Sequence, residues 1–311
     1  MSRAIGWTTA EIPDLSDKRF LVTGVTSGLG AGIARELAAH GAEVVLAARS
    51  EEKLAATVAD IEHRVRAPRL RQVVLDLADL GSIRRAAAQA SRLGPIDVLV
   101  NNAGVMATPY HRTVDGFELQ LATNHLGPFA LTGLLLPQLV ASGAGRVVST
   151  GSQAHRLALR APLGDPALQI GRYSKWQAYA QSKLADLLFT FELDRRLRSA
   201  GLPVIALAAH PGYSATGLMH SRHSLSGGAN AATRFLETVF TLLGQPAELG
   251  ALPTIMAATA DLPGSTYVGP NGPAQMRGMP MVVKTTRRAL DRDAQRRLWE
   301  ISEAATGVRY P

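Results

Sequence analysis

Tyr179 and Lys183 stand four residues apart in a helix-patterned stretch, which puts both side chains on one face about one turn apart. A free phenol ionises near pH 10 and is a poor proton-transfer group at neutrality. An ammonium within a few ångströms favours the phenolate and brings the hydroxyl into the range of acid–base work. The pair is therefore a candidate for moving a proton to or from a substrate oxygen. A bare Tyr-x-x-x-Lys is common and by itself more often means two unrelated helix residues, so its meaning depends on the rest of the chain. A second stretch supplies that context. Thr23 to Gly30 reads TGVTSGLG, directly after apolar Phe20-Leu21-Val22 and directly before an amphipathic run from Ala31 to Ala39. Where a strand turns sharply into a helix, Gly24, Gly28 and Gly30 permit unusual backbone angles and close approach of a ligand. The helix N-terminus then offers free N–H groups and partial positive charge to a pyrophosphate.

The elements that must position these residues follow from periodicity. From Phe20 onward, short apolar strands alternate with longer amphipathic segments, the signature of a parallel sheet covered on both faces. Strands are predicted near 20–24, 43–48, 70–75, 96–100, 145–150, 203–208 and 265–268. Helices are predicted over 29–39, 51–63, 80–92, 113–140 with a possible break, 173–199, 231–243, 246–259 and 291–305. Right-handed crossovers would bring the strand C-termini to one edge, where ligands of such sheets bind. Residues 1–17 read as an arm anchored by Trp7 and Ile12, and 18–311 as one domain, with a lid near 213–232 (rich in Gly, Ser and His).

Composition narrows the classes. The chain has 311 residues and 46% hydrophobic content, enough for one large core. It has no cysteine, which excludes disulfides, thiolate catalysis and a cysteine metal site, and fits a cytoplasmic location. No His, Asp or Glu cluster has metal-ligand spacing, so no metal is expected. The N-terminus lacks an apolar signal core, and no run of about 18 apolar residues occurs; Pro137 interrupts the longest, Phe129 to Val140. A soluble chain with no membrane anchor is expected. The net charge is +8, but 28 of the 33 basic residues are Arg, scattered among acids with no aromatic interleaving. That is a solvated surface rather than a nucleic-acid stripe, and no nucleic-acid partner is expected.

Taken in order, TGxxxGxG, Asn101-Asn102-Ala103-Gly104, Asn124, a serine near 150, Tyr179-Ala-Gln-Ser-Lys183 and His210-Pro211-Gly212 resemble the short-chain dehydrogenase/reductase family. LATNHLGPF, YAQSKLADLLFT and HPGYSATGL resemble its retinol-dehydrogenase-type branch, and the likeness runs from about residue 12 to about 305. It implies a Rossmann-type doubly wound, mostly parallel seven-stranded α/β sheet and reversible hydride transfer between a carbonyl and an alcohol. Tyr179 would be general acid or base, Lys183 would also bond the nicotinamide ribose, and Asn124 would seat a water that extends a proton path. The family's catalytic serine aligns with Ser152 in Ser149-Thr150-Gly151-Ser152. Gly151 replaces the first serine of the usual pair, which leaves Ser149 and Thr150 as alternatives. No G-x-S-x-G elbow surrounds Ser152, which argues against a serine hydrolase.

The resemblance also implies a cofactor set. Gly24, Thr26, Ser27, Gly28, Leu29 and Gly30 would cradle the pyrophosphate; Asp76 and Leu77 would contact adenine. Asn102, Ala103 and Gly104 would line the cofactor, and Pro211, Gly212 and Thr216 would hold the carboxamide. NAD-binding relatives carry an acidic residue where Arg49 stands. Arg49 cannot accept a bond from a ribose hydroxyl but suits a phosphate dianion, so with Ser50 it predicts NADP(H) in preference to NAD(H). Between Ser152 and Tyr179, the residues Leu157, Leu159, Tyr173 and Trp176 hint at a hydrophobic small-molecule substrate, with core packing an equal explanation. The long helices 113–140 and 173–199 would form a homo-oligomer contact or be covered by the arm. A non-catalytic dinucleotide sensor of the same fold is the alternative function.

Overall fold

The computed structural model describes residues 6–166, 173–213 and 245–310. Their strands form one sheet in the order β3-β2-β1-β4-β5-β6-β7-β8. The strands are β1 (Arg19–Thr23), β2 (Glu43–Ala48), β3 (Arg69–Val74), β4 (Val98–Asn101), β5 (Gly145–Thr150), β6 (Val204–Ala209), β7 (Tyr267–Pro270) and β8 (Pro280–Val282). The pairings from β3 through β7 are parallel. The helices are α1 (Gly28–Ala39), α2 (Glu51–Arg64), α3 (Leu80–Ser91), a single turn α4 (Leu119–Leu121), α5 (Gly127–Ala141), α6 (Lys175–Ser199), α7 (Ala247–Thr259) and α8 (Arg292–Thr306).

Strands buried on both faces read as continuous apolar runs, and their side chains divide between two cores. Phe20 and Val22 pack with the core that includes Ile33, Leu37 and Ile255, whereas Leu21 packs with the core that includes Phe129, Leu135 and Trp299. Val44 and Leu46 likewise oppose Val45 and Ala47. Full burial of such a side chain contributes roughly 1.5–3 kcal/mol before the entropy of ordering. Strand order reverses between β1 and β4, so the crevice for a ligand opens there, beyond the C-termini of both strands.

Two predictions need correction, and a third falls outside the described residues. The sheet has eight strands, not seven: β8 runs antiparallel to β7, with Val268 paired to Val282. Three residues, two of them exposed, leave no alternation to read. The helix predicted from 113 begins at Leu119. Before it, Arg112 pairs with Glu118 in an isolated bridge and Gly116 turns with φ +85°. Buried Glu118 then caps the new helix, accepting from the N–H groups of Gln120 (3.0 Å) and Leu121 (2.7 Å). The helix predicted over 231–243 lies outside the described residues, as does the lid predicted at 213–232 except Tyr213.

Candidate active site

The first wall of the site is the β1–α1 turn. Gly24 and Gly28 have φ of +73° and +55°, a region open to glycine at little cost. Gly30 is demanded by space: a Cβ there would lie 2.2 Å from the Gly24 carbonyl oxygen and 2.6 Å from Asn102 Nδ2. At Gly24 a Cβ would lie 2.7 Å from Ala103 Cα, so the turn and the β4 loop are pressed together. Thr23 staples them: its Oγ1 accepts from the N–H groups of Asn102 and Ala103, both at 3.0 Å. Asn102 Nδ2 donates to the Thr23 carbonyl at 2.9 Å. Ser27 is the N-cap of α1 yet makes no side-chain bond to the helix. The first-turn N–H groups are thus left without a side-chain cap, as an anion site requires. Asn102 Oδ1 is buried without a partner among the described residues. An uncapped helix start, a glycine cradle with no room for side chains and an orphaned acceptor fit a dinucleotide.

At the adenosine side, Arg49 is exposed at the end of β2 and has no ion pair among the described residues. Ser50 caps α2, its Oγ accepting from Lys53 N at 3.2 Å. Asp76 does not cap α3; Asp79 does, accepting from Ser82 N at 3.1 Å. The Asp76 carboxylate instead accepts from Ala78 N at 2.9 Å. Leu77 is buried, and its carbonyl lies where a Cβ on Gly127 would approach within 2.4 Å.

The second wall is α6, capped by Ser174, whose side chain accepts from Gln177 N at 3.4 Å. The half-buried Tyr179 is one turn before the buried Lys183. Lys183 Nζ donates to the Thr150 carbonyl at the end of β5 (3.0 Å) and to Asp186 Oδ2 (2.9 Å). Burial works to lower the lysine's pKa, but the charges of Asp186 and Tyr179 outweigh it and hold the ammonium above its ordinary value. One of its three donors is uncommitted among the described residues.

The third wall contains Asn124, in a π-helical turn, Ala122–Leu126, between α4 and α5. Such turns add one residue per turn and recur at functional sites. Asn124 Oδ1 accepts from Val105 N (2.8 Å), and Nδ2 donates to the Val105 carbonyl (2.9 Å) and to Ser182 Oγ (2.8 Å). Ser182 Oγ in turn donates to the Tyr179 carbonyl at 2.9 Å. Asn124 thus ties the Gly104 loop to the turn carrying Tyr179. His125 is a packing residue: its Nε2 meets Ser302 Oγ at 2.7 Å and its ring lies against Phe129 and Phe189.

The three serine-position candidates occupy different surroundings. The hydroxyls of Ser149 and Thr190 share a bond of 2.9 Å inside the core. Thr150 Oγ1 is buried with no hydrogen-bond partner among the described residues. Ser152 is half-buried beyond the strand end, and its Oγ accepts from Ala154 N at 3.1 Å, its O–H making no bond among the described residues. His155 braces this turn, its Nδ1 lying 2.6 Å from the Ser152 carbonyl. Beside it, Gly212 (φ +68°) donates from its N–H to His210 Nδ1 at 3.1 Å, and Gln245 Nε2 donates to the Pro211 carbonyl at 2.7 Å. Thr216 lies outside the described residues.

Of the apolar residues predicted for the pocket, Leu157 and Leu159 are strongly exposed, and Trp176 is half exposed. Tyr173 is a brace: its hydroxyl bonds Glu118 Oε1 at 2.9 Å and takes a bond from Gln120 Nε2 at 2.7 Å. Sequence reading missed Thr23, Ser182 and Asp186. Thr23 and Ser182 stand inside the two motifs, and only nearness to Lys183 marked Asp186. A concavity of about 250 Å³ between Thr8, α1 and α7 holds none of the candidate residues. Among the described residues no group of three or more His, Asp or Glu could hold a metal, and no helix is long and apolar enough to cross a membrane.

Comparison with known proteins adds an independent line. Residues 18–162 match the family model described as short chain dehydrogenase. Human "Retinol dehydrogenase 13" is 39% identical over 299 residues, covering 94% of this chain and 86% of that protein. Mouse "Polyprenol dehydrogenase" is 39% identical over 307 residues, covering 96% and 86%. Among solved structures, an uncharacterized protein from Mycobacterium Paratuberculosis shares 44% identity with TM-score 0.80, covering 98% of this chain and 99% of that one. A short chain dehydrogenase from Burkholderia cenocepacia in complex with NADP shares 27% identity with TM-score 0.60, covering 82% and 96%.

Proposed function

The chain belongs to the short-chain dehydrogenase/reductase family and is an NAD(P)-dependent oxidoreductase acting on CH–OH groups; from that premise we propose that it prefers NADP(H) and uses Tyr179 as its general acid–base. The observation that carries this reading is Lys183, pinned to the C-terminal end of β5 one turn from Tyr179, on the sheet edge where β1 meets its glycine turn.

In this reading, bound NADP(H) supplies or accepts the hydride. Gly24, Thr26, Ser27, Gly28, Leu29 and Gly30 would hold its pyrophosphate, Arg49 and Ser50 its 2′-phosphate, and Asp76 and Leu77 its adenine. Asn102 to Gly104, Tyr179 and Lys183 would hold the nicotinamide ribose region, and Pro211, Gly212 and Thr216 the carboxamide. During reduction Tyr179 donates its phenolic proton to the carbonyl oxygen as charge develops there; during oxidation it takes the proton from the alcohol. Ser152 donates its O–H to the same oxygen and shares that charge. Lys183 places its ammonium one turn from Tyr179, and Asn124, through Ser182, fixes the turn bearing Tyr179 and seats the water that extends the proton path. Residues 18–311 act as one catalytic unit behind the N-terminal arm. The substrate is an apolar alcohol or carbonyl. The exposed Leu157, Leu159 and Trp176 support that class, as do relatives named for retinol and polyprenol, both alcohols on apolar chains.

The test is NADPH consumption by the purified protein across a panel of apolar ketones and aldehydes. Wild type is expected to turn over at least one of them. Tyr179→Phe is expected to lose about 10²–10⁴-fold in rate while still binding NADPH. Tight NADPH binding without turnover on any substrate would instead favour a dinucleotide sensor, the reading to which Gly151 in place of a first serine lends its weight.

A further inference from the structure

Nothing in the proton-transfer scheme above calls for a carboxylate, yet one is buried within it. Asp186, 5% exposed, lies three residues beyond Lys183 on α6. Its Oδ2 accepts from Lys183 Nζ at 2.9 Å, and it is the one carboxylate bonded to that lysine among the described residues. Lys183 is itself only 6% exposed, and its other bond goes to a neutral carbonyl, that of Thr150. A buried ammonium without a counter-charge is costly, and proteins ordinarily resolve that cost by letting the lysine lose its proton. Removing one partner of such a pair strands the other.

We propose that Asp186 is a positioning residue of the site: its carboxylate keeps the Lys183 ammonium charged inside the protein and held at the end of β5, so that the charge reaches Tyr179. This inference rests on the Tyr179/Lys183 reading above. The other ionisable groups around the pair are few. Tyr179 precedes it on α6. Tyr267 faces it from β7, its phenol pushed up by burial and further by the Asp186 charge, with Arg156 opposing. Burial pushes Asp186 itself up to about 6, with Lys183 pulling against it. The pair is therefore fully ionic above that pH, and the brace loosens as pH falls through it.

The chain has five lysines, so carbon-13 labelling at lysine Cε lets NMR titration read Lys183 directly, its signal assigned by its loss in Lys183→Met. Asp186→Asn removes the charge and keeps the shape. It is expected to lower the Lys183 midpoint by about 1–3 pH units, and Asp186→Glu to restore at least half of that shift. A Lys183 midpoint unchanged in a folded Asp186→Asn protein overturns the proposal, since a merely structural aspartate would leave it in place. If Asp186→Asn does not fold, carboxyl titration decides. The Asp186 midpoint is expected to rise by about one unit or more in Lys183→Met relative to wild type, and no rise sinks the pairing. Neither readout needs turnover, so a lysine that shifts in a protein without activity refutes only the enzymatic scheme. Turnover with a lysine that does not shift refutes only the role of Asp186.

Discussion

The proposed cofactor preference rests on one side chain, Arg49. A guanidinium at the end of β2 offers a planar fork of donors to a phosphate dianion and nothing to a ribose hydroxyl. Charge-assisted bonds of this kind contribute about 1.5–3 kcal/mol. Arg49→Glu is therefore expected to weaken NADPH binding roughly 10- to 100-fold while leaving NADH binding unchanged or tighter, as measured by fluorescence titration of each. Equal losses for both would remove the 2′-phosphate clamp from the scheme. At this scale much of the site was legible, because Tyr179, Lys183 and the glycines are chemically distinctive types at fixed spacing. The serine position was not. Ser149, Thr150 and Ser152 are equivalent in a string of letters, and only the fold commits Ser149 to Thr190 in the core while Ser152 lies beyond the strand end.

At the scale of elements, the site depends on two close approaches that leave no room for a methyl group. One is the crossover from β1 to α1, where Gly30 lies against the Gly24 carbonyl and the Asn102 amide. Gly30→Ala forces backbone to move, since a Cβ would fall 2.2 Å from a carbonyl oxygen. Such overpacking costs about 1–3 kcal/mol. The expected result is a lower unfolding midpoint in urea together with weaker NADPH binding; a normal dinucleotide affinity would show that the turn is not the pyrophosphate cradle. The other approach is Gly127 against the Leu77 carbonyl. It follows the π turn, so the extra residue there sets both the seat of Asn124 and the packing of α5. Periodicity predicted a break in the long helix but not its kind. A one-residue bulge is invisible to a pattern that counts in 3.6s, and the capping carboxylate of Glu118 looks like any other acid until it is found fully buried.

Across the whole molecule, two histidines give the stability a pH dependence. His125 and His210 are buried, and burial lowers the pKa of each to about 3, with a bond to Gln275 opposing the shift at His210. Their folded values lie below the unfolded one, so the unfolded chain binds their protons more tightly. The stability that comes from keeping them neutral is complete above about pH 6.5 and is lost as pH falls towards 3. By pH 5 the loss is about 2 kcal/mol for each histidine. Urea unfolding at pH 7 and pH 5 is expected to show it, and His125→Gln to remove about 2 kcal/mol of acid-induced loss relative to wild type. An unchanged loss would mean that these rings are not the acid-sensitive groups. The same scale bears on assembly. Among the described residues the C-terminal segment packs on the long helices α5 and α6, whereas Trp7 and Ile12 of the arm join the core that includes Ile33 and Leu37. Trp299 packs edge-on against Tyr310 and Phe129, Tyr310 lies tilted against Phe129, the Tyr310 hydroxyl donates to the Phe129 carbonyl at 2.6 Å, and Arg196 lies 4.4 Å from the Trp299 ring centre.

The order of the seven parallel strands and of the long helices described between them, the strand-to-helix glycine turn and the pairing of a phenol with an amine were all determined by sequence. Each is a local matter of periodicity, backbone freedom or helical spacing. What the tertiary structure decided was non-local: which serine lies beyond the strand end and which is committed to the core, that Asn124 reaches Tyr179 through Ser182, and that Lys183 is stapled to β5 beside a buried aspartate. Those outcomes depend on which atoms are removed from water and which partners meet them there. Only the closed fold sets the distances and the loss of solvent that give such groups their strength.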